Sequence, residues 1–247
     1  MLAAGTPERP AREQGRLSKV FARLLMKRAT VTANDQLAEG LRLITLEGAA
    51  LQGVAWQPGQ KVQIAMGSAF VTRTYTPIEW NPVAGRLCFL GDTHGEGPGS
   101  HWVRTVAPGE ACDIFGPRSS LDLGRLPGHV VIMGDETSIG LACAATRQDA
   151  GRPVTCCFEI DNSDTVRQAV TGLGLQNATL VARRQDAAHL AEMEEVLLEA
   201  AAQGASVVLT GKAGTIQRLR QSLKQGSFPA SRIVSKAYWA PGKSGLD

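Results

Sequence analysis

The sequence predicts two folded parts of different class, β followed by α/β. The first is an antiparallel β-barrel over residues 29–124; the second is a doubly wound, parallel-sheet domain over residues 125–247. A basic segment, residues 1–28, precedes both. Three observations carry this reading. Short alternating segments recur at about ten-residue spacing between Gly/Pro turns, the mark of a small barrel. Val130-Val131-Ile132-Met133 is then a continuous apolar run, which suits a parallel strand buried on both faces. From there strand-like and helix-like stretches alternate, as a parallel doubly wound sheet requires.

Residues 1–15 are polar and contain prolines, a composition that cannot bury enough apolar surface to order itself. Arg16 to Arg28 has helical spacing, with Leu17, Val20, Phe21, Leu24 and Leu25 on one face. It reads as a short helix capping the core; contact with a membrane surface or with an acidic partner is the alternative. No small-residue cleavage site follows it, which argues against a targeting sequence. Residues 1–28 hold seven Lys/Arg against Glu8 and Glu13, whereas the whole chain is only +3, too little to argue for nucleic acid. No apolar run approaches the roughly 18 residues of a membrane span. Cys88, Cys112, Cys143, Cys156 and Cys157 form no Cys-x-x-Cys and lie in apolar settings. They read as free thiols of a reducing cytoplasm, not as a zinc or iron–sulfur site, and no metal centre is expected.

In the first part, strands are expected at Leu41–Leu46, Lys61–Met66, Arg86–Leu90 and Ala111–Phe115, with turns at Gln57–Gln60 and Pro108–Glu110. In the second, strands are expected at Val130–Met133, Val154–Phe158, Ala178–Val181, Ser206–Thr210 and Ile233–Val234. Helices are expected at Leu141–Arg147, Thr165–Val170, Ala187–Ala202 and Thr215–Leu223. Adjacent Cys156 and Cys157 would face opposite sides of their strand.

The chemistry concentrates at Arg73-Thr74-Tyr75-Thr76-Pro77. On an extended backbone residues i and i+2 share a face, so Arg73 and Tyr75 point the same way. Arg offers a fork of donors to phosphate, Tyr a flat face to a flat ring, and Thr76 a hydroxyl to a ring nitrogen. A flavin nucleotide uses all three. Gly97-Pro98-Gly99-Ser100 then opens a short helix through His101 to Val106. Its first amides and its dipole favour phosphate, and Ser100 can cap or donate. Gly134-Asp135-Glu136-Thr137 fills the first strand-to-helix turn, where a dinucleotide diphosphate would rest on backbone amides. Glu159 and Asp161 end the second strand, where a carboxylate can accept from ribose hydroxyls. This favours NADH over NADPH, with Arg183-Arg184 as the place that could host a 2′-phosphate. Gly211 ends the fourth strand, bordering a nicotinamide. Tyr238 and Trp239 near the end can shield a flavin face, and Lys236 and Lys243 can line a mouth for an anionic substrate.

Taken in order, Arg73-x-Tyr75-Thr76, Gly97–Ser100, Phe115-Gly116-Pro117, Val130–Thr137 and Lys236–Trp239 resemble the ferredoxin-reductase-like flavoenzymes. Among these the chain looks most like the siderophore-interacting proteins, the flavin-dependent ferric-siderophore reductases, over residues 28 to 240. The resemblance implies a barrel that holds FAD, or FMN, and an α/β domain that brings NADH or NADPH. It also implies a ferric siderophore or other iron chelate as electron acceptor. In it Thr76 lies near flavin N5, Tyr75 packs on the ring, the 97–100 turn clamps the diphosphate and His94 lies near the adenine. Two positions depart from the family pattern: Ile78 stands where a second Arg is usual, and Ala237 where a Gly is usual before Tyr-Trp. Two other functions remain open. One is a flavin reductase component passing electrons to a protein partner; the other is a non-catalytic flavin-binding regulatory module.

Overall fold

The computed structural model describes residues 26–66, 68–149, 151–161 and 163–243. The expected 16–28 helix lies almost wholly outside them; its last two residues, Lys27 and Arg28, belong to a strand instead. The first part contains β1 (Lys27–Ala38), β2 (Leu41–Glu47), β3 (Lys61–Met66), β4 (Ser68–Tyr75), β5 (Pro77–Asn81), β6 (Arg86–Asp92) and β7 (Ala111–Arg118). Helix α1 (Pro98–Thr105) lies between β6 and β7. These strands form one antiparallel sheet in the order β4-β3-β7-β1-β2-β6-β5. Its two edge strands, β4 and β5, are consecutive in the chain and joined at Thr76. The sheet therefore curls until its edges meet at the Arg73–Pro77 motif. Alternate residues of the strands, among them Val31, Ile44, Leu46, Val62, Ile64, Leu87, Phe89 and Ile114, fill the interior.

The second part contains β8 (Val130–Asp135), α2 (Ile139–Gln148), β9 (Val154–Ile160), α3 (Ser163–Gly172), β10 (Thr179–Ala182) and α4 (His189–Ala202). It closes with β11 (Ser206–Lys212), α5 (Ala213–Gln225) and β12 (Ile233–Trp239). The strands pair in parallel in the order β10-β9-β8-β11-β12. The chain moves outward from β8 to β10 and then crosses to β11, so the switch point lies between β8 and β11. Every residue of β8 is buried. Val130 and Ile132 turn to one face with Leu141 and Val166; Val131 and Met133 turn to the other with Met193, Leu197 and Leu219. Cys156 and Cys157 divide between the same two faces.

The two sheets share one apolar core. Leu41, Ile78, Leu121 and Leu123 pack in a single cluster with Ile132, Ile139, Leu141, Phe158 and Val208. Ile78 is 3% exposed, and its methyl comes against Gly140 at the start of α2, where a Cβ would stand 3.2 Å from it. The residue at position 78 thus belongs to the seam between the two parts. Its side chain faces α2.

Candidate functional site

A cleft of about 220 Å³ opens where the curled sheet, the start of α1 and the last strand converge. Arg73, Tyr75, Thr76, Gly97, Gly99 and Ser100 line one side; Glu136, Thr137, Lys236, Tyr238 and Trp239 line the other. Residues from chain positions 73 to 239 are therefore gathered by the meeting of the sheet edges and by the sheet switch point.

On the barrel side, β4 sets Arg73 and Tyr75 on one face. An Arg73 nitrogen donates to the Thr72 carbonyl at 2.8 Å, which fixes the guanidinium against the wall. The Tyr75 ring packs on Phe89 with centroids 4.4 Å apart, and Phe89 stacks in turn on Trp102 of α1. Burial pushes the Tyr75 phenol well above its ordinary range, partly offset by the Arg73 charge. Gly97 caps α1 without a side-chain bond and Pro98 takes the first helical position, where it has no amide to satisfy. Gly99 allows the helix start to approach β4 closely: a Cβ there would lie 2.9 Å from Arg73 Cγ and 3.3 Å from the Tyr75 oxygen. A guanidinium, a half-buried phenol and the uncapped amides of a helix start thus meet at one spot, and a phosphate of a flavin nucleotide fits it.

On the other side burial pushes the Tyr238 phenol up to about 12, offset in part by the hydroxyls of Thr76 and Thr210. The Trp239 indole donates to Asp135 Oδ2 at 2.7 Å.

Several expected site residues lie elsewhere. His94 bonds the Asp92 carboxylate at 2.7 Å and packs over Gly40. Burial acts to lower its pKa, but the bond to Asp92 and nearby carboxylates raise it. Asp92 lines the cleft; His94 does not. Gly134 is pressed against Ser138 and the Thr210 carbonyl. The Asp135 carboxylate accepts the Thr137 amide at 2.9 Å and the Lys212 amide at 2.8 Å, so these amides are not open to a diphosphate. Gly211, at φ 93°, faces that same carboxylate, not a nicotinamide position. Glu159 is 1% exposed, and its oxygens accept from Thr215 at 2.5 Å and His189 at 2.8 Å. A carboxylate so enclosed is not presented to a ribose. Glu136 accepts the Asp161 amide at 2.7 Å and an Arg183 nitrogen at 2.9 Å. Arg183 also pairs with Asp161 and Glu159, which draws it away from any 2′-phosphate. Lys243 lies exposed beyond β12 and does not line the cleft.

Sequence reasoning missed Lys61, Ser120 and Leu41, which line the cleft, and the Arg183–Glu136 pair. Lys61 opens a strand directly after a Pro-Gly turn, the one local sign that it sits at a sheet rim.

Two family models match the sequence. The siderophore-interacting FAD-binding domain matches residues 62–121 and the siderophore-interacting protein model residues 127–242. No curated protein matches. Among solved structures, the chain is similar to a siderophore utilization protein from T. fusca, with 21% identity over 90% of this chain and 95% of that one, TM-score 0.66. It is likewise similar to the siderophore-interacting protein SipS from Aeromonas hydrophila, with 20% identity over 89% and 93%, TM-score 0.69. The ferredoxin reductase in carbazole 1,9a-dioxygenase shares 17% identity over 87% and 69%, TM-score 0.70. Among the described residues, no helix is long and apolar enough to cross a membrane. The curled sheet with its Arg73–Thr76 motif matches the FAD-binding part and the parallel sheet the remainder, so the chain belongs to the siderophore-interacting protein family.

Proposed function

We propose that this protein is an FAD-dependent reductase that draws electrons from NADH or NADPH and delivers them to a ferric siderophore, releasing Fe(II). The observation that carries the reading is the convergence of Arg73, Tyr75, Thr76 and the α1 start with Lys236, Tyr238 and Trp239 on one cleft. Bound FAD would take two electrons from a nicotinamide and return them one at a time, as Fe(III) requires.

The chain's own residues do the holding and orienting. Arg73 and the amides that open α1 meet the diphosphate. Tyr75, backed by Phe89, gives one stationary face, and Trp239 closes the opposite wall. The Thr76 hydroxyl serves as the hydrogen-bond partner at the reactive edge of the ring, with Tyr238 beside it in the cleft wall. Lys236 presents its ammonium at the cleft, where an anionic iron chelate would be drawn in. The pairing of Arg183 with Glu136, Glu159 and Asp161 favours NADH over NADPH, because it leaves that guanidinium committed and not free for a 2′-phosphate.

The test is an absorbance spectrum of the purified protein, then anaerobic titration with NADH and NADPH and addition of a ferric siderophore. A yellow protein bleached by the nucleotide and reoxidised by the chelate is expected. A colourless protein that takes up neither FAD nor FMN would overturn the flavin reading. Bleaching without reoxidation by any ferric chelate would move the acceptor to a protein partner. A flavin that neither nucleotide bleaches would point to a regulatory module.

A further inference from the structure

The buried carboxylate of Asp135 gathers donors from three separate turns. Oδ1 accepts the Thr137 amide at 2.9 Å and the Thr137 hydroxyl. Oδ2 accepts the Lys212 amide at 2.8 Å and the Trp239 indole N–H at 2.7 Å. A reciprocal capping box links the same residue to Ser138. Space for the carboxylate exists because position 211 is glycine: a Cβ there would stand 2.4 Å from Oδ2. The residue is 1% exposed.

Its place in the fold gives this cluster meaning. Asp135 ends β8 and Lys212 ends β11, the two strands that flank the switch point. There the strand ends of a doubly wound sheet ordinarily receive a ligand on backbone amides. Here a side chain of the protein itself fills that position. Of the donors it collects, Thr137 and Trp239 both line the cleft, and the Trp239 indole is the one that closes it from the end of β12. The Lys212 ammonium lies over the face of the same ring, 5.8 Å from its centroid. The indole is thus held at its edge by an anion and over its face by a cation.

We propose that Asp135 is a positioning residue: standing in for a ligand anion at the switch point, its carboxylate locks the Trp239 indole as a fixed wall of the cleft. Asp135 touches neither cofactor nor acceptor; it acts through Trp239. The kinetic consequence rests on the reductase reading, whereas the geometry does not.

The experiment uses the flavin-loaded full chain. The indole N–H of Trp239 is identified among the four tryptophans by its loss in Trp239→Phe. Its hydrogen exchange is then compared in wild type and Asp135→Asn. Strong protection in wild type, lost in Asp135→Asn, is expected. Equal exchange in both overturns the proposal. For turnover of a ferric chelate, each single variant is expected to lower kcat/KM by about tenfold, the scale of a lost hydrogen bond to a charged group. The double variant should be no worse than the poorer single one. Effects that multiply would mean that the carboxylate acts independently of Trp239 and would overturn the proposal. If Asp135→Asn does not fold, Trp239→Phe alone decides, since it keeps a ring and removes only the donor end; unchanged kcat/KM there overturns the proposal. Absence of reduction by either nucleotide in wild type would fault the reductase reading, and the exchange measurement would still decide the role of Asp135.

Discussion

Arg73 shows how a single side chain is prepared for its ligand. Its bond to the Thr72 carbonyl holds the guanidinium against the cleft wall, so little side-chain freedom remains to be lost on binding a phosphate. Arg73→Ala should weaken FAD binding about 10- to 100-fold, the range expected for losing a charge-assisted bond, with the melting temperature nearly unchanged. Flavin fluorescence titration measures this. Asp135 gives a second prediction. Burial, the largest influence, pushes its pKa up to about 6, against the lowering effect of its bonds to Thr137 and Trp239. A carboxyl raised in the folded state favours folding below its unfolded pKa and loses that contribution as pH rises through about 6. Urea unfolding of wild type and Asp135→Asn from pH 4 to 7 should therefore show the gap between them shifting against wild type as pH rises. Sequence made the Arg73–Tyr75 pairing legible because the i, i+2 rule is local. Glu159 was misread for the opposite reason: its partners, His189 and Thr215, lie 30 and 56 residues away, and nothing near position 159 announces that they enclose it.

Helix α1 is short, and its value lies in its first turn. Gly97 leaves the amides uncapped and Gly99 lets them approach β4. Gly99→Ala should leave the fold intact, because the atom its methyl meets at 2.9 Å is the flexible stem of Arg73. Displacing that stem should reduce FAD affinity at an almost unchanged melting temperature, a split that paired titration and thermal unfolding would reveal. Equal losses in both would mean that the glycine serves the fold alone. Strands of the second part were readable from apolar runs and alternation with helices. Strands β1 and β5 were not. The stretch Lys27–Ala38 mixes Thr, Asn, Asp and Gln into its alternation and reads as loop, yet its neighbours β2 and β7 pair with it on both sides. Strand β5 opens with Pro77, which reads as a turn; at a sheet edge, however, a missing amide breaks no ladder.

At the scale of the molecule, the core that runs through Ile78 joins the two sheets into one folding unit. Ile78→Arg would restore the residue usual in the family pattern but place an unpaired charge in that seam. It should cost at least as much as emptying the site, about 2–5 kcal/mol, and should not tighten FAD binding, since position 78 does not line the cleft. Chemical denaturation followed in both halves, with flavin titration, tests both statements. The same seam limits how such proteins can be recombined. Ile78 belongs to β5 and Gly140 to α2, and a Cβ on the helix at position 140 would already crowd the Ile78 methyl at 3.2 Å. A barrel borrowed from a relative with another residue at position 78 would meet the wrong helix surface. Chimeras cut at the chain's apparent midpoint would inherit two sound halves and a faulty joint, so the unit of exchange is β5 together with α2, even though they lie in different halves of the sequence.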